Sequence, residues 1–335
     1  MTTYIIRRLM QAVIIMFGLT IFFFLILHAE PGGPCAHILA TPNPNTQELY
    51  AHCLKARGLD QPLPVQYWRW LSATAHGDLD VDYTGRPVLD TIKLRLPATI
   101  LLIGLSYIFQ ELIALPLGML GALKRYSLYD QVLTFLSYVG LSLPTFWLGL
   151  MLVLLLAVRF PLFPPGGIVN PLLPIPPFGT GEYWAYLPGH VGQAVGDLLW
   201  HLVLPGLTLA IIGIGGDSRF MRASMLDVIN QDFVRTARAK GLPRSKVVLK
   251  HALRNALLPI ITNVGLFIPT LVSGAVITES IFGWPGMGKY FIDALGNHDT
   301  NTLQAVLLLS ALMVLIGNLL ADLMYAWADP RIRYN

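Results

Sequence analysis

Residues 9–27 read LMQAVIIMFGLTIFFFLIL, an apolar stretch of 19 residues without a charged side chain. A helix needs about 17–25 such residues to cross the hydrocarbon core of a bilayer. The stretch is therefore read as a membrane-spanning helix. Arg7 and Arg8 precede it, as basic residues precede a secretory signal peptide. The apolar part of such a peptide is usually only about 7–15 residues long. A cut after Ala29 would also put Leu27 where a small residue is required, and the segment before Cys35 lacks the leucine of a lipoprotein signal. The expectation is an uncleaved first helix.

Composition carries this reading across the chain. Of 335 residues, 54% are hydrophobic and 13% charged, and the mean hydropathy is +0.59. Soluble domains carry about 25% charged residues, so this chain cannot cover its own surface in water. Five further apolar runs follow, at 98–123, 132–158, 202–221, 258–282 and 303–327. The expected fold is an all-α integral membrane protein of six transmembrane helices. It divides into residues 1–97, a first helix with a sizeable extracytoplasmic loop, and 98–335, a five-helix core. Pro116, Pro144, Pro205 and Pro269 fall in or near these runs, where neighbouring helices re-satisfy the backbone.

Orientation follows from basic residues in short loops. Arg7, Arg8, Lys124, Arg125, Arg219, Arg222, the cluster from Arg235 to Arg254, Arg331 and Arg333 fall on one side if the N-terminus is cytoplasmic. Both termini are then cytoplasmic, and the net charge of +4 needs no nucleic acid. The loop at 159–200, rich in proline, glycine and aromatics, is expected to be external and irregular, with Tyr183, Trp184 and Tyr186 as interface anchors.

Residues 227–256, DVINQDFVRTARAKGLPRSKVVLKHALRNA, are too polar to span. Val234, Ala237 and Gly241 share one helical face. Gly241 suits a left-handed helix end, and Pro243 the first turn of the next helix. Val247, Val248, His251 and Ala252 give a second narrow apolar face. The pattern predicts a helix–turn–helix elbow below the membrane. A plain topology-fixing loop and a docking element both fit the spacing.

This segment resembles the coupling motif of ABC importer permeases, in its peptide-transporter form: RTARAKGL at 235–242 and HALRNA at 251–256. Arg235, Thr236, Ala237, Ala239, Lys240 and Gly241 occupy the first part, and His251, Leu253, Arg254 and Asn255 the second. His251, Leu253 and Arg254 stand where the general motif has Ile-x-Leu-Pro, so that pattern is only partly met. IRRL at 6–9, HAEPGGP at 28–34, GLDQP at 58–62, HGDL at 76–79, TESIFGWPGMG at 278–288 and DPRIRY at 329–334 agree in order. The chain resembles the first permease subunit of a dipeptide, oligopeptide or nickel ABC importer.

The resemblance implies a cell (inner) membrane protein paired with a second homologous permease. Two ATP-binding subunits, which hold ATP and magnesium, and an extracytoplasmic binding protein complete the assembly. The chain itself is expected to bind no cofactor and catalyse nothing; it has no GxxxxGK[ST] phosphate loop. The small-faced turn 236–241 is expected to dock on the ATPase, and a bulky residue at Ala237 to uncouple transport.

Other residues leave alternatives open. Glu111, beside Gln110 in the middle of the second run, either meets a substrate amine or makes an interhelical hydrogen bond. Asp217 is expected to pair locally with Arg219 or Arg222. Asp322 and Asn318, one turn apart in the last run, either pack and hydrogen-bond or relay protons. Glu279 and Trp284 either shape an external gate or build a turn. Cys35 and Cys53 have a disulfide open to them in an oxidising compartment. His37 and His52 flank them without metal-finger spacing. Two other function classes compete: an ion-gradient-driven transporter, which predicts intramembrane acidic pairs, and a membrane-embedded hydrolase, which predicts a nucleophile and base within spans.

Overall fold

The computed structural model describes residues 2–29, 35, 38–39, 44–56 and 58–328. The expectations on 30–34, His37 and 329–334, with Arg331 and Arg333, lie outside the described residues. Among the described residues the chain is helical apart from one isolated bridge, Val81 to Pro87.

Helix α1 (Thr2–His28) is followed by two short helices, α2 (Thr46–Ala56) and α3 (Leu63–Ala75). Cys35 and Cys53 form a disulfide with Cα atoms 6.3 Å apart. Tyr67 and Trp70 of α3 pack on Phe24 near the end of α1, and the hydroxyls of Tyr67 and Thr20 are 2.8 Å apart. Helix α4 (Val88–Leu123) begins ten residues before the expected 98 because Pro97 is absorbed inside it.

The run 132–158 is broken. Helix α5 (Leu128–Ser142) meets α6 (Thr145–Leu152) and its π-helical continuation Val153–Arg159 at 98°. Pro144, extended at φ −62° and ψ 133°, cannot continue the preceding helix and makes the break.

Helix α7 (Gly181–Ile229) extends far beyond the expected 202–221, so the second half of the supposedly irregular loop is helical. Its cap is Thr180, whose hydroxyl accepts from the Tyr183 N–H, and its one non-helical residue is His190. Tyr183 is buried against Phe178, not an interface anchor; Trp184 stays exposed.

Helix α7 meets its neighbours through glycines. A Cβ on Gly118 of α4 would collide with the backbone of Ser218 on α7, and one on Gly215 of α7 would press on Ser137 of α5. Apolar surface gives no drive between helices in lipid, so small residues that admit close approach carry the contact. Toward the elbow end of α7, Arg222 grips Asp130 of α5 through two bonds, at 2.5 and 2.8 Å. Arg219 instead lies over the ring of Tyr138.

Helix α8 (Asp232–Ala239) and the stretch α9 (Arg244–Lys246), a π-helical turn (Val247–Ala252) and α10 (Leu253–Ala256) form the elbow. The expected span 258–282 is not one helix. It is α11 (Leu258–Phe267), α12 (Thr270–Ser273) and α13 (Val276–Ile281), separated at Pro269 and at Gly274, where φ is +82°. Helices α14 (Met287–Gly296) and α15 (Thr300–Ala328) close the described chain. Arg8 and Asp322 tie α1 to α15 at 2.9 Å.

Among the described residues, α1, α4, α7 and α15 are long and apolar enough to cross a membrane, and the bent α5–α6 pair makes five. The expected count of six is therefore met only if the α11–α13 stretch crosses as a broken element.

Candidate functional site

The elbow starts later than expected, because 227–229 still belong to α7. Its inner face is spent on this chain. Val234, Ala237, Val247, Val248, Ala252 and Ala256 are buried with Met221, Met225 and Val228 of α7. In an aqueous setting each large apolar side chain buried in this way stabilises by roughly 1.5–3 kcal/mol. The Ser224 hydroxyl adds a bond to the Ala256 carbonyl at 2.7 Å. Ala237 is only 5% exposed. The small-faced docking surface expected at Ala237 is thus turned inward, into the buried core that the elbow shares with α7.

The outer face is what remains. Arg235, Thr236, Ala239, Lys240, Gly241 and Arg254 are exposed. Thr236 hydrogen-bonds back to Asp232, and Arg235 lies 3.6 Å from the same residue in a pair open to water. Gly241 takes φ +72° and ends the first limb; no atom lies within 4 Å of where its Cβ would be. It serves the turn, not the buried face. Pro243 sits one residue outside the next helix, as its N-cap. His251, Leu253 and Asn255 are half-buried. Leu253 packs on the elbow core, and the Asn255 amide donates to the His251 carbonyl at 2.9 Å. Sequence reasoning passed over Phe233 and Leu249, which are 38% and 55% exposed beside Arg238, Arg244, Lys246 and Lys250. Their signal was available: both fall off the two apolar faces that periodicity assigns.

Deep in the bundle, the amide of Gln110 on α4 donates to Asp217 on α7. Glu111 lies beside Asp217 and Tyr107, and among the described residues its Oε2 is buried without a hydrogen-bond partner. Asp217 therefore pairs across helices, not with Arg219 or Arg222, whose partners are given above. Tyr107, Gln110, Asp217, Asn263 and Phe267 line a cavity of about 330 Å³.

Glu279 and Trp284 sit elsewhere. Glu279 is completely buried and accepts from the Thr99 hydroxyl at 2.9 Å and from the N–H groups of Ala275 and Lys289 at 3.2 and 3.0 Å. Thr99 in turn accepts from the Met287 N–H at 2.7 Å. The buried Trp284 indole donates to the Ala98 carbonyl at 2.8 Å. Together these bonds fasten α13 and the start of α14 to α4.

The family model described as "Binding-protein-dependent transport system inner membrane component" matches residues 114–334, and its N-terminal companion matches 1–103. The chain belongs to this permease family. It is 40% identical to the oligopeptide transport system permease protein AppB of Bacillus subtilis, with all of both chains covered. It is 38% identical to the dipeptide transport system permease protein DppB of Escherichia coli, over 100% of this chain and 99% of that one. The same figures hold for the di/tripeptide permease DppB of Pseudomonas aeruginosa. The permease is a transport component and not an enzyme, which removes the hydrolase reading. The acidic pair Glu111–Asp217, which the sequence hid, does not revive an ion-gradient transporter against this family membership.

Proposed function

We propose that the permease is the first membrane subunit of an ATP-driven peptide importer in the cell inner membrane. It forms half of a translocation path, with a second homologous permease supplying the other half. Peptides arrive on an extracytoplasmic binding protein, and both termini are cytoplasmic. Residues 1–97 form the first transmembrane helix with its extracytoplasmic loop and 98–335 the five-helix core; the family matches at 1–103 and 114–334 support that division. The α11–α13 stretch crosses as a broken sixth span beside its partner helices.

The observation that carries the energy-coupling part is the two-sided elbow. Its apolar face is buried in the chain while Phe233, Leu249 and a ring of basic residues stay exposed. A groove on an ATP-binding subunit, which holds ATP and magnesium, takes that outer face. The turn residues Thr236, Ala239, Lys240 and Gly241 with Arg235 and Arg254 form the contact, and Ala237, Leu253, His251 and Asn255 keep it in shape. Gln110, Glu111 and Asp217 lie on the path and meet the cationic end of a peptide. Glu279 and Trp284 brace its external end.

Proteoliposomes holding this chain, its partner permease, the ATPases and the binding protein test the reading. Peptide uptake should require ATP and stop with vanadate. Uptake that ignores vanadate and collapses with an ionophore would refute it.

A further inference from the structure

A second cavity, of about 550 Å³, opens between α3, the end of α1 and the start of α15. It lies at the membrane boundary. The apolar window of α1 closes at Ile26, and that of α15 opens at Thr300. Trp68 on α3, 60% exposed, stands where indoles gather at such boundaries.

The lining is divided. Phe24, Trp70 and Leu308 make an apolar side; Arg69, Asp78 and Gln304 make a polar one. Gln304 is 4% exposed, yet among the described residues its Nε2 has no hydrogen-bond partner. A buried amide donor left unmet is costly, and a native fold keeps few of them. The occupant that satisfies Gln304 must bring an acceptor. Arg69 favours that acceptor being anionic, and Asp78 favours a cationic group nearby. The apolar side requires a hydrocarbon body reaching toward the bilayer.

We propose that this cavity binds a phospholipid with a zwitterionic amine headgroup from the extracytoplasmic leaflet. The phosphate meets Gln304 and Arg69, the ammonium meets Asp78, and the glycerol and upper acyl chain lie along Phe24, Trp70 and Leu308. The site is separate from the elbow and from the Gln110–Asp217 cavity, so it stands whatever the cargo.

The test uses the full-length chain, delipidated in detergent and titrated with short-chain phosphatidylethanolamine, with phosphatidylglycerol, and with inorganic phosphate. Binding is read by native mass spectrometry and by the Trp70-containing fluorescence signal. Phosphatidylethanolamine should bind saturably and phosphatidylglycerol more weakly, since it leaves Asp78 without a cation. Arg69→Ala and Gln304→Leu should each weaken retention roughly tenfold, the loss of one hydrogen bond to a charged group. Arg69 is exposed, so its variant keeps the fold and serves as the control if Gln304→Leu unfolds. The proposal is overturned if Arg69→Ala retains the lipid as the parent does. It is also overturned if phosphate alone saturates the site, or if no lipid binds and the cavity holds water only.

Discussion

Tyr290 bonds Asp82 across 208 residues of chain: its hydroxyl lies 3.2 Å from the carboxylate. The same hydroxyl is 3.1 Å from that of Thr302, which donates to Asp299 at 2.6 Å, and Asp299 receives the Tyr83 N–H at 2.9 Å. A buried polar network thus holds the turn at 80–88 onto α14 and α15.

Tyr290→Phe removes one donor from a site that keeps its other bonds. The expected cost is about 1 kcal/mol, read as a lowered midpoint of thermal unfolding in detergent. Tyr290→Ala also empties a buried site and should cost about 3–5 kcal/mol. Equal midpoints for parent and both variants would dismiss the network as a stabiliser.

Acid should loosen the same network. Burial pushes the Asp82 carboxyl up, but bonds from the Thr84 hydroxyl, the Arg86 and Thr84 N–H groups and the Thr91 hydroxyl outweigh it and hold the group below its ordinary range. A depressed value means the stabilisation is complete above the unfolded-state pKa, about 3.9, and fades as pH falls through the folded one. Asp82→Asn should flatten the fall in unfolding temperature below about pH 4 while lowering stability at neutral pH. A parallel acid profile in both proteins would contradict this.

Glu279 is expected to act as a brace. Glu279→Gln places an amide donor where the Thr99 hydroxyl and two backbone N–H groups also donate, so at least one buried donor goes unmet. A loss of about 1–3 kcal/mol follows, with accelerated proteolysis between α13 and α14. If uptake fails while the unfolding midpoint stays put, the residue works as a gate instead.

The two faces of the elbow should separate in experiment. Ala237→Trp overpacks the buried core of the elbow and should destabilise the chain itself by about 1–3 kcal/mol or more. Phe233→Ala touches an exposed position and should leave the unfolding midpoint within about 0.5 kcal/mol of the parent. Yet it should reduce co-purification of the ATPase and peptide-stimulated ATP hydrolysis. ATPase binding unaffected by Phe233→Ala and Leu249→Ala together would move the interface elsewhere.

The features legible in the sequence were those with a local period. Residues 9–27 announced a span by composition, and Val234, Ala237, Val247, Val248 and Ala252 announced a buried face by spacing. What periodicity cannot say is what the face is buried against, and Ala237 turned out to lie in a core that the elbow shares with α7. The length of α7 was hidden because Pro188 falls in the proline- and glycine-rich segment read as an irregular loop, yet is absorbed within the helix. The break at Gly274 was hidden because a positive φ leaves no mark on an otherwise apolar run. Asp217, Glu279 and Gln304 depend on partners or vacancies 100 or more residues away in the chain or brought in by another helix, which no window of local sequence contains.

Helix α7 carries a mechanical consequence. From 191 to 229 it keeps helical dihedrals throughout, a length of roughly 60 Å at 1.5 Å per residue. The elbow is welded to one end of this shaft, and near the other end Asp197 receives the Asn170 N–H at 2.8 Å. Under the coupling role proposed above, a load on the elbow meets no slack connector, and a small rotation at that end of the shaft is expected to displace the far tip, which makes the helix a lever.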